Sequence, residues 1–324
     1  MKAIGLLSGG LDSALAVFLL QKQGIEVVGL HFRSPFWKNQ DTVKQLAQEL
    51  RIELREIEGK EEYLELVRNP QFGYGKNLNP CIDCKIWMLQ KAKKEMEKER
   101  AYFVFTGEVV GQRPKSQLKN TLRLIEKQSG LEGYLLRPLS AKLLPPTIPE
   151  EKGEVKREEL LDLQGRGRKR QLELAEKWGI KHFSPPAGGC LLTDPHFSRR
   201  LKTLWESGEA YNLENVELLK VGRHFLLPSL RLVVGRNQVE NERLEKLTRE
   251  EDILFFPEEG KGPLALGRGK VDTALLSKAA SVLAYYIRSP EEVVSVGVKR
   301  GSFKETLKVE RMSEEDVIVS RKTG

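Results

Sequence analysis

The stretch that decides the fold is Ser8-Gly9-Gly10-Leu11-Asp12-Ser13, which follows the apolar run Ala3–Leu7 and precedes the amphipathic stretch Ala14–Gln23. A strand that runs through two glycines into a helix forms a phosphate-binding loop, because glycine permits positive φ and close backbone approach. The Ser8 and Ser13 hydroxyls add hydrogen-bond donors, and the Asp12 carboxylate is a ligand that Mg²⁺ prefers. The Walker loop has a longer glycine spacing and a lysine. The stretch therefore predicts a nucleotide loop of another class.

Strands and helices alternate in the first half of the chain. Predicted strands cover Ala3–Leu7, Glu26–His31, Ile52–Ile57, Tyr102–Thr106 and Tyr134–Leu136, with helical patterns near 13–23, 41–51, 60–68 and 85–98. This rhythm predicts an α/β fold with a parallel, doubly wound sheet. Ligands of such sheets bind at the carboxyl ends of the strands. We therefore expect the phosphate loop, His31 with Phe32, and Thr106 with Gly107 to line one pocket.

Length and composition indicate two domains. The chain has 324 residues, and we expect a larger domain at 1–205 and a smaller α+β domain at 216–324, joined by a polar linker. No run approaches the roughly 18 apolar residues of a membrane span, and no signal-peptide cleavage site follows the N-terminal apolar residues. The sequence thus predicts a cytoplasmic protein. Its net charge of +8 favours a polyanionic partner.

Two basic segments are candidates for contacts with RNA phosphates. Arg113 and Lys115 lie in one predicted loop, and the densest basic cluster of the chain is formed by Arg166, Arg168, Lys169 and Arg170. Guanidinium and ammonium groups bind phosphate oxygens well.

The second half of the chain has a different pattern. Predicted strands lie near Glu217–Lys220, Arg231–Val234, Ile253–Phe255 and Val293–Lys299, with helices near 240–249 and 273–287. These elements predict the smaller α+β domain.

The chain has three cysteines, Cys81, Cys84 and Cys190, and an odd count argues against a disulfide framework. The first two flank Ile82-Asp83 at a predicted helix start, and the third ends the glycine-rich segment 185–190. Four interpretations remain open: a zinc site completed by His182 or His196, a redox pair, a Cys84–Cys190 persulfide relay, and a [4Fe–4S] cluster with one open iron.

Three features together resemble the tRNA thiouridylases among the PP-loop ATP pyrophosphatases, which have an adenine nucleotide α-hydrolase-like fold: Ser8–Ser13, Asn79–Cys84 and Gly189-Cys190. The resemblance implies that ATP is cleaved between its α- and β-phosphates to adenylate a uridine of tRNA. A sulfur donor, sulfide or a persulfide-carrying protein, would then supply the sulfur.

The same resemblance implies roles for individual residues. Cys81, Cys84 and Cys190 would be [4Fe–4S] ligands, and Asp12, Cys84 and Cys190 the catalytic residues. ATP and Mg²⁺ would bind at the expected pocket, formed by Ser8, Gly9, Gly10, Asp12, Ser13, His31, Phe32, Thr106 and Gly107.

The C-terminal region resembles the NFACT-R RNA-binding domain. The resemblance rests on Gly222-Arg223-His224, on the stretch Val234–Asn241 and on Asp252–Phe256. It implies RNA binding, for which Arg223, Arg236 and Arg268 are the expected phosphate contacts.

Two other functions fit part of the sequence. One is a PP-loop enzyme that adenylates another RNA base or a small acid for amine transfer, a reaction that does not need three cysteines. The other is a non-catalytic RNA-binding protein that senses nucleotides through the same loop.

Overall fold

A computed structural model of the chain describes residues 1–37, 42–184 and 189–322. Contacts group the chain into two compact units, Met1–Asp194 and Pro195–Gly324. The sequence analysis had placed residues 195–205 in the first domain. In the structure, Trp205 packs edge-on against Tyr211, with ring centroids 5.7 Å apart, and this contact lies within the second unit.

The strands of the first unit are β1 (Lys2–Leu6), β2 (Glu26–Arg33), β3 (Glu53–Glu58), β4 (Phe103–Thr106) and β5 (Leu135–Leu136). Its helices are α1 (Leu11–Gln21), α2 (Thr42–Glu49), α3 (Glu61–Arg68), α4 (Cys81–Lys98), α5 (Lys119–Ser129), α6 (Ile148–Glu151) and α7 (Lys169–Trp178). Short 3-10 turns lie at Ala141–Leu143, Arg157–Glu159 and Leu191–Thr193.

The strands of this unit form a parallel sheet in the order β3-β2-β1-β4-β5. The chain adds strands on one side of β1 and then crosses to the other side at β4. The strand order therefore reverses between β1 and β4, which is where doubly wound sheets bind ligands. The predicted α/β, doubly wound fold is confirmed.

Residues of the central strands are buried on both faces of this sheet. Ala3, Val27 and Phe103 share one face with α1, α2 and α7 in a single apolar cluster. Ile4, Val28 and Val104 point to the opposite face and are buried too. On that side α4 contacts β1, β4 and α5. Near-continuous apolar strands are expected when helices cover both faces.

The second unit contains α8 (Pro195–Glu206), α9 (Leu213–Leu218), β6 (Arg223–Leu227), β7 (Leu230–Val234), α10 (Gln238–Leu247), β8 (Ile253–Pro257), β9 (Ala265–Gly269), α11 (Thr273–Ala284), β10 (Val293–Arg300), β11 (Phe303–Glu310) and α12 (Glu314–Lys322). The strands form an antiparallel sheet in the order β11-β10-β8-β9-β7-β6. Helix α11 packs on one face, and residues of α9 and α10 cover part of the other. The predicted α+β character is confirmed.

The predicted strand at Glu217–Lys220 is wrong, because this segment lies in and just after helix α9. The Asn212 side chain caps the helix by accepting a 2.9 Å hydrogen bond from the Asn215 N–H. Val216 and Leu219, three residues apart, are fully buried, so the apolar residues follow a helical spacing. Across the described ranges, no helix has both the length and the apolar composition needed to cross a membrane.

Candidate active site

The phosphate loop connects β1 to α1 as the sequence predicts. Gly9 has φ +75°, and Gly10 caps α1 without a side-chain hydrogen bond to the first turn. The Ser13 hydroxyl donates to the Gly10 carbonyl oxygen at 2.7 Å and lies 3.4 Å from the Ser8 hydroxyl. The first-turn N–H groups of α1 are consequently left for an anion.

Gly107, just after β4, lies directly against this loop. A Cβ atom at this position would lie 2.5 Å from the carbonyl carbon and oxygen of Asp12 and 2.6 Å from the Ser13 nitrogen. Contacts this short with backbone atoms exclude any side chain at position 107. The segments that follow β1 and β4, where the strand order reverses, thus contact each other through backbone atoms.

The Asp12 carboxylate is held by one oxygen only. Gln112 Nε2 donates to Asp12 Oδ2 at 2.9 Å, whereas the buried Oδ1 has no hydrogen-bond partner among the described residues. A buried, unpartnered carboxylate oxygen beside a phosphate loop fits the ligand chemistry of Mg²⁺.

The other residues expected to bind the nucleotide differ in their burial and in their hydrogen-bond partners. The His31 ring nitrogen Nδ1 lies 3.1 Å from the Leu7 carbonyl oxygen, and burial lowers the pKa of this imidazole. The Thr106 hydroxyl donates to Glu108 at 3.0 Å. The Phe32 side chain is buried against Trp87, with centroids 5.6 Å apart, so it belongs to the core in place of the expected nucleotide contact.

Backbone pairing brings Cys190 to the segment that follows β2 and to the loop that precedes α4. Cys190 forms an antiparallel bridge with Trp37, and the Leu191 N–H donates to the Phe36 carbonyl at 2.8 Å. The next residue, Leu192, accepts from the Leu78 N–H at 3.1 Å, close to the start of α4. Residues 185–188 of the glycine-rich segment lie outside the described residues.

Tyr63 contacts one of the thiols directly. Its hydroxyl donates to Cys84 Sγ at 3.0 Å, and the Cys81 and Cys190 thiols add to burial in raising the pKa of Tyr63. Burial raises the pKa of Cys84 to about 11 and of Cys190 to about 12, and it raises the pKa of Cys81 as well. These groups are therefore protonated thiols in the absence of a bound electrophile or metal.

Trp37, Trp87 and Phe36 enclose this region, since each of their rings packs against Tyr63. Between the two cysteines of α4, Asp83 accepts hydrogen bonds from the backbone N–H groups of Gln71 and Phe72. Asp83 thereby fixes the loop before α4 and has a structural role.

A buried ion-pair cluster connects the cysteines to the end of β4. Glu108 contacts Arg137 at 3.4 Å and Lys85 at 3.6 Å. Burial alone would raise the pKa of Glu108, but Lys85 and Arg137 outweigh it and the pKa is lowered. Lys85 in turn acts on the Cys81 and Cys84 thiols, so a fixed cation lies beside them.

Cys81, Cys84 and Cys190 supply the soft donors that an iron–sulfur cluster prefers. In residues 1–37, 42–184 and 189–322, no group of three or more His, Cys, Asp or Glu side chains is arranged to hold a metal ion. His182, one expected zinc ligand, instead has Nδ1 3.0 Å from a Glu49 oxygen. The thiols thus match a cluster in donor chemistry only, since the described residues form no ready metal site.

The segment that leads to Cys190 is attached to the phosphate loop. The Ser184 N–H donates to the Gly9 carbonyl oxygen at 2.8 Å, and the Ser184 hydroxyl lies 2.6 Å from the Thr42 hydroxyl. One stretch of chain therefore contacts the predicted nucleotide site and, six residues later, the cysteines.

The two basic segments of the first unit lie side by side. The Gly165 N–H donates to the Val110 carbonyl at 2.8 Å, which places the cluster of Arg166, Arg168, Lys169 and Arg170 next to the loop of Arg113 and Lys115. Arg113 is exposed and acts on the pKa of all three thiols. Lys115 donates to the Tyr74 carbonyl, and Arg170 pairs with Asp162 at 2.9 Å.

The three arginines of the second unit that were expected to contact RNA differ in exposure and in their partners. Arg236 is exposed and pairs with Glu240, and Arg223 lies 4.9 Å from the Tyr286 ring centroid. Arg268 is buried and binds Asp252, Asn215 and the Leu247 carbonyl. These bonds occupy its guanidinium inside the protein, so Arg268 has a structural role in place of the expected phosphate contact.

Sequence reasoning missed several residues of the site. Tyr63, Gln112 and Ser184 stand outside every motif, and only the folded chain brings them to Cys84, Asp12 and Gly9. Lys85 directly follows the CxxC motif, and this position was the one sequence signal that could have identified a missed residue of the site.

Comparisons with known proteins match the two halves of the chain to two different families. A family model described as thiamine biosynthesis protein (ThiI) matches residues 1–142, and one described as NFACT protein RNA binding domain matches residues 222–320. A probable tRNA sulfurtransferase of Natranaerobius thermophilus is 31% identical over 146 residues, which cover 43% of this chain and 35% of that protein.

A tRNA-specific 2-thiouridylase MnmA of Syntrophomonas wolfei is 26% identical, covering 55% of this chain and 53% of its own. The chain thus matches between about a third and a half of the length of these relatives. A crystal structure of a 4-thiouridine synthetase–RNA complex with bound ATP is 24% identical over 54% of this chain and 50% of its own, with a TM-score of 0.36, too low to bear on function. The N-terminal part of the chain is therefore similar to ThiI and to relatives named tRNA sulfurtransferase and 2-thiouridylase, and the C-terminal part is similar to the NFACT protein RNA binding domain.

Proposed function

We propose that this chain is an ATP-dependent tRNA thiolase, which adenylates a carbonyl oxygen of a uridine and replaces that oxygen with sulfur. The observation that carries the proposal is the backbone hydrogen bond from Ser184 to Gly9. It attaches the segment that ends at Cys190 to the phosphate loop. Relatives named tRNA sulfurtransferase and 2-thiouridylase support the same activity.

The first step activates the uridine. A carbonyl oxygen of the base attacks the α-phosphorus of ATP, the bond from Pα to the bridging oxygen breaks, and pyrophosphate leaves with the electron pair. The first-turn N–H groups of α1 and the hydroxyls of Ser8 and Ser13 bind the phosphates and stabilise the charge that develops. The unpartnered oxygen of Asp12 would hold the Mg²⁺ that shares this charge.

The second step introduces sulfur. Hydrosulfide attacks the activated ring carbon, the carbon–oxygen bond breaks with AMP as the leaving group, and the sulfur loses its proton to solvent. Adenylation is needed because the carbonyl oxygen of uracil is a poor leaving group. Trp37 and Trp87 pack against Tyr63, which holds Cys84, so this thiol lies beside a packed aromatic group.

The cysteines determine where the sulfur comes from. We propose that Cys81, Cys84 and Cys190 hold a [4Fe–4S] cluster, whose fourth iron would bind sulfide as a soft nucleophile. The alternative is a persulfide on Cys190 whose outer sulfur attacks the base. The Cys84 thiolate would then attack Cys190 Sγ, leaving a disulfide and the sulfur on the base, and a thiol reductant would have to restore both thiols.

The tRNA would contact the basic residues that adjoin this site. Arg113 is exposed and near the thiols, and the cluster at 166–170 lies next to its loop. Arg223 and Arg236 of the second unit are further candidates for contacts with the tRNA. The proposed location of the protein is the cytoplasm.

The test uses the full chain, unmodified tRNA, ATP, Mg²⁺ and sulfide without oxygen, with nucleosides measured by mass spectrometry. We expect thiouridine together with stoichiometric AMP and pyrophosphate, and Asp12→Ala should lose all three products. Pyrophosphate release with an aminated product, unaffected by Cys→Ser at all three positions, would favour amine transfer. RNA binding with no pyrophosphate release would favour a nucleotide sensor.

A further inference from the structure

Among the described residues of the second unit, none covers one part of the sheet on the face opposite α11. Residues of α9 and α10 pack against β7 and β9 and reach Leu254 on β8. Beyond that point, Lys299 on β10 and Lys304, Thr306 and Lys308 on β11 are exposed. We call this area the open sheet face and define it by Phe256, Gly297 and these four residues.

The strand register places these residues in rows on a single face. Opposed residues of antiparallel strands share a face. Phe256, Gly297 and Thr306 lie opposite one another across β8, β10 and β11, and Lys299 lies opposite Lys304 in the adjacent row. The third row contains Ser295 and Lys308.

Gly297 lets the Phe256 ring lie on bare backbone. A Cβ atom at position 297 would come within 2.3 Å of Phe256 Cε2 and 2.5 Å of Cζ, so any side chain there would displace the ring. Phe256 is half-buried and does not belong to the apolar cluster that packs on α11, whereas its neighbour Phe255 does. The ring therefore lies along the outer surface of the sheet.

Cations surround this ring. Lys304 Nζ lies 5.1 Å from the Phe256 centroid, and Lys299 and Lys308 occupy the rows on either side. Glu258 is the acidic residue beside them, and it accepts from Lys304 at 3.2 Å and from the Thr306 hydroxyl at 3.3 Å. Lys299 and Lys308 thus provide positive charge on both sides of an aromatic surface.

We infer that the open sheet face binds single-stranded RNA, with one base stacked on Phe256 and the backbone phosphates on Lys299 and Lys308. A flat ring on a sheet surface binds an unpaired base by stacking, and flanking lysines bind phosphates on either side. A duplex keeps its bases stacked inside the helix and has none free for Phe256. The surface therefore selects unpaired segments such as the loops of a folded RNA.

This inference rests on the proposed RNA substrate. It places the surface that binds the RNA away from Arg223, Arg236 and Arg268. Its test needs neither ATP nor sulfide. Binding of a labelled uridine-rich 12-nucleotide single strand and of a duplex of equal length is measured by fluorescence anisotropy on the full chain. If Asp12→Ala binds RNA normally but does not release pyrophosphate, binding and chemistry are separated.

Phe256→Leu keeps the apolar contact with Gly297 but removes the π face, and we expect about tenfold weaker binding of the single strand. Phe256→Tyr should bind as the parent does. Phe303→Ala is the matched control, because Phe303 is 58% exposed on β11, the strand of Lys304 and Lys308, but lies at a register position of the other face. It should leave binding unchanged.

Lys299→Ala and Lys308→Ala should each reduce the slope of log affinity against log salt by about 0.7, the value for one phosphate contact of a single strand. The inference is overturned if Phe256→Leu binds like the parent, if Phe303→Ala weakens binding equally, or if the duplex is bound as tightly. It is also overturned if the same lysines bind only vesicles of anionic phospholipid.

Discussion

The Tyr63 hydroxyl donates a 3.0 Å hydrogen bond to the sulfur of Cys84, although the two residues are 21 positions apart on different helices. The Tyr63 ring also packs against Trp37, which pairs with Cys190 through the backbone. One side chain therefore links a cysteine of the CxxC pair to the segment of the third. Buried thiols held in this way keep a fixed arrangement whichever sulfur chemistry they perform.

The role of Cys81 separates the two proposed sulfur mechanisms. A persulfide relay needs Cys84 and Cys190 only, whereas a cluster needs all three thiolates. We expect both Cys81→Ser and Cys190→Ser to abolish thiouridine formation and the visible absorption of protein reconstituted anaerobically with iron and sulfide. ATP binding should stay near the parent level in both. Thiolation by Cys81→Ser combined with inactivity of Cys190→Ser would instead indicate the relay.

The hydrogen bond from Gln112 to Asp12 predicts that ATP cleavage depends on Gln112, which orients the proposed Mg²⁺ ligand. Residues that orient a metal ligand typically contribute about 10- to 100-fold to metal affinity or activity. We expect Gln112→Ala to lower pyrophosphate release by that factor and to raise the Mg²⁺ concentration needed for half-maximal rate. Asp12→Asn should be more severe. An unchanged Mg²⁺ requirement in Gln112→Ala would contradict the assignment of Asp12 as the Mg²⁺ ligand.

The close approach of Gly107 to Asp12 predicts that any side chain at position 107 is harmful. Gly107→Ala places a methyl group 2.5 Å from backbone atoms, and relieving such an overlap costs about 1–3 kcal/mol and moves the phosphate loop. We expect reduced ATP affinity and a lower melting temperature. Gly167→Ala is the control, since nothing lies within 4 Å of its Cβ position. Equal effects of both substitutions would refute the steric argument.

The buried ion pair of Arg268 is expected to raise the free energy of unfolding of the protein. Removing one partner of a buried ion pair leaves the other charge uncompensated and costs about 3–5 kcal/mol, so Arg268→Ala should strongly lower the free energy of unfolding measured with urea. Arg236→Ala, which breaks an exposed pair, should cost under about 1 kcal/mol. A stable Arg268→Ala protein that no longer binds RNA would restore the phosphate-contact assignment.

His224 predicts a loss of stability in mild acid. Burial and the nearby cations Arg200 and Arg231 lower its pKa well below the ordinary value, so the ring stays neutral in the folded protein. The unfolded chain takes up this proton below about pH 6.5, and the folded state is therefore destabilised as the pH falls from 6.5 toward 5. His31 shifts in the same direction.

The measurement is the melting temperature of the parent and of His224→Gln at pH 7 and pH 5.5. His224→Gln should show a smaller decrease between the two pH values, because one of the two shifted histidines is gone. The carboxylates with lowered pKa, such as Glu49, act at more acidic pH and do not contribute in this window. A pH effect of the same size in both proteins would exclude His224 as its source.

Much of the first unit could be predicted from sequence, because its signals are local. Apolar strands, helical periodicity and the Ser8–Ser13 loop follow one another within short windows, and the parallel sheet follows from their alternation. In the second unit, β6, β9 and β11 were missed. Two glycines weaken the strand signal of Ala265–Gly269, and the edge strand Phe303–Glu310 is rich in charged residues.

The candidate site was predictable only where a motif defines it. Asp12 and the cysteines were found, but Tyr63 and Gln112 act through partners far away in sequence. Phe32 and Arg268 were assigned to ligands because sequence does not tell a surface position from a buried one. The Arg268 charge is compensated by Asp252, the residue just before β8, and only the fold reveals that pairing.

The Ser184–Gly9 hydrogen bond also sets a length. Cys190 is the sixth residue after Ser184, so the main chain between the two Cα atoms spans at most about 22 Å. In the proposed thiolation, this short span bounds the distance between the phosphate loop, where the oxygen would be adenylated, and the cysteine that would supply or hold the sulfur.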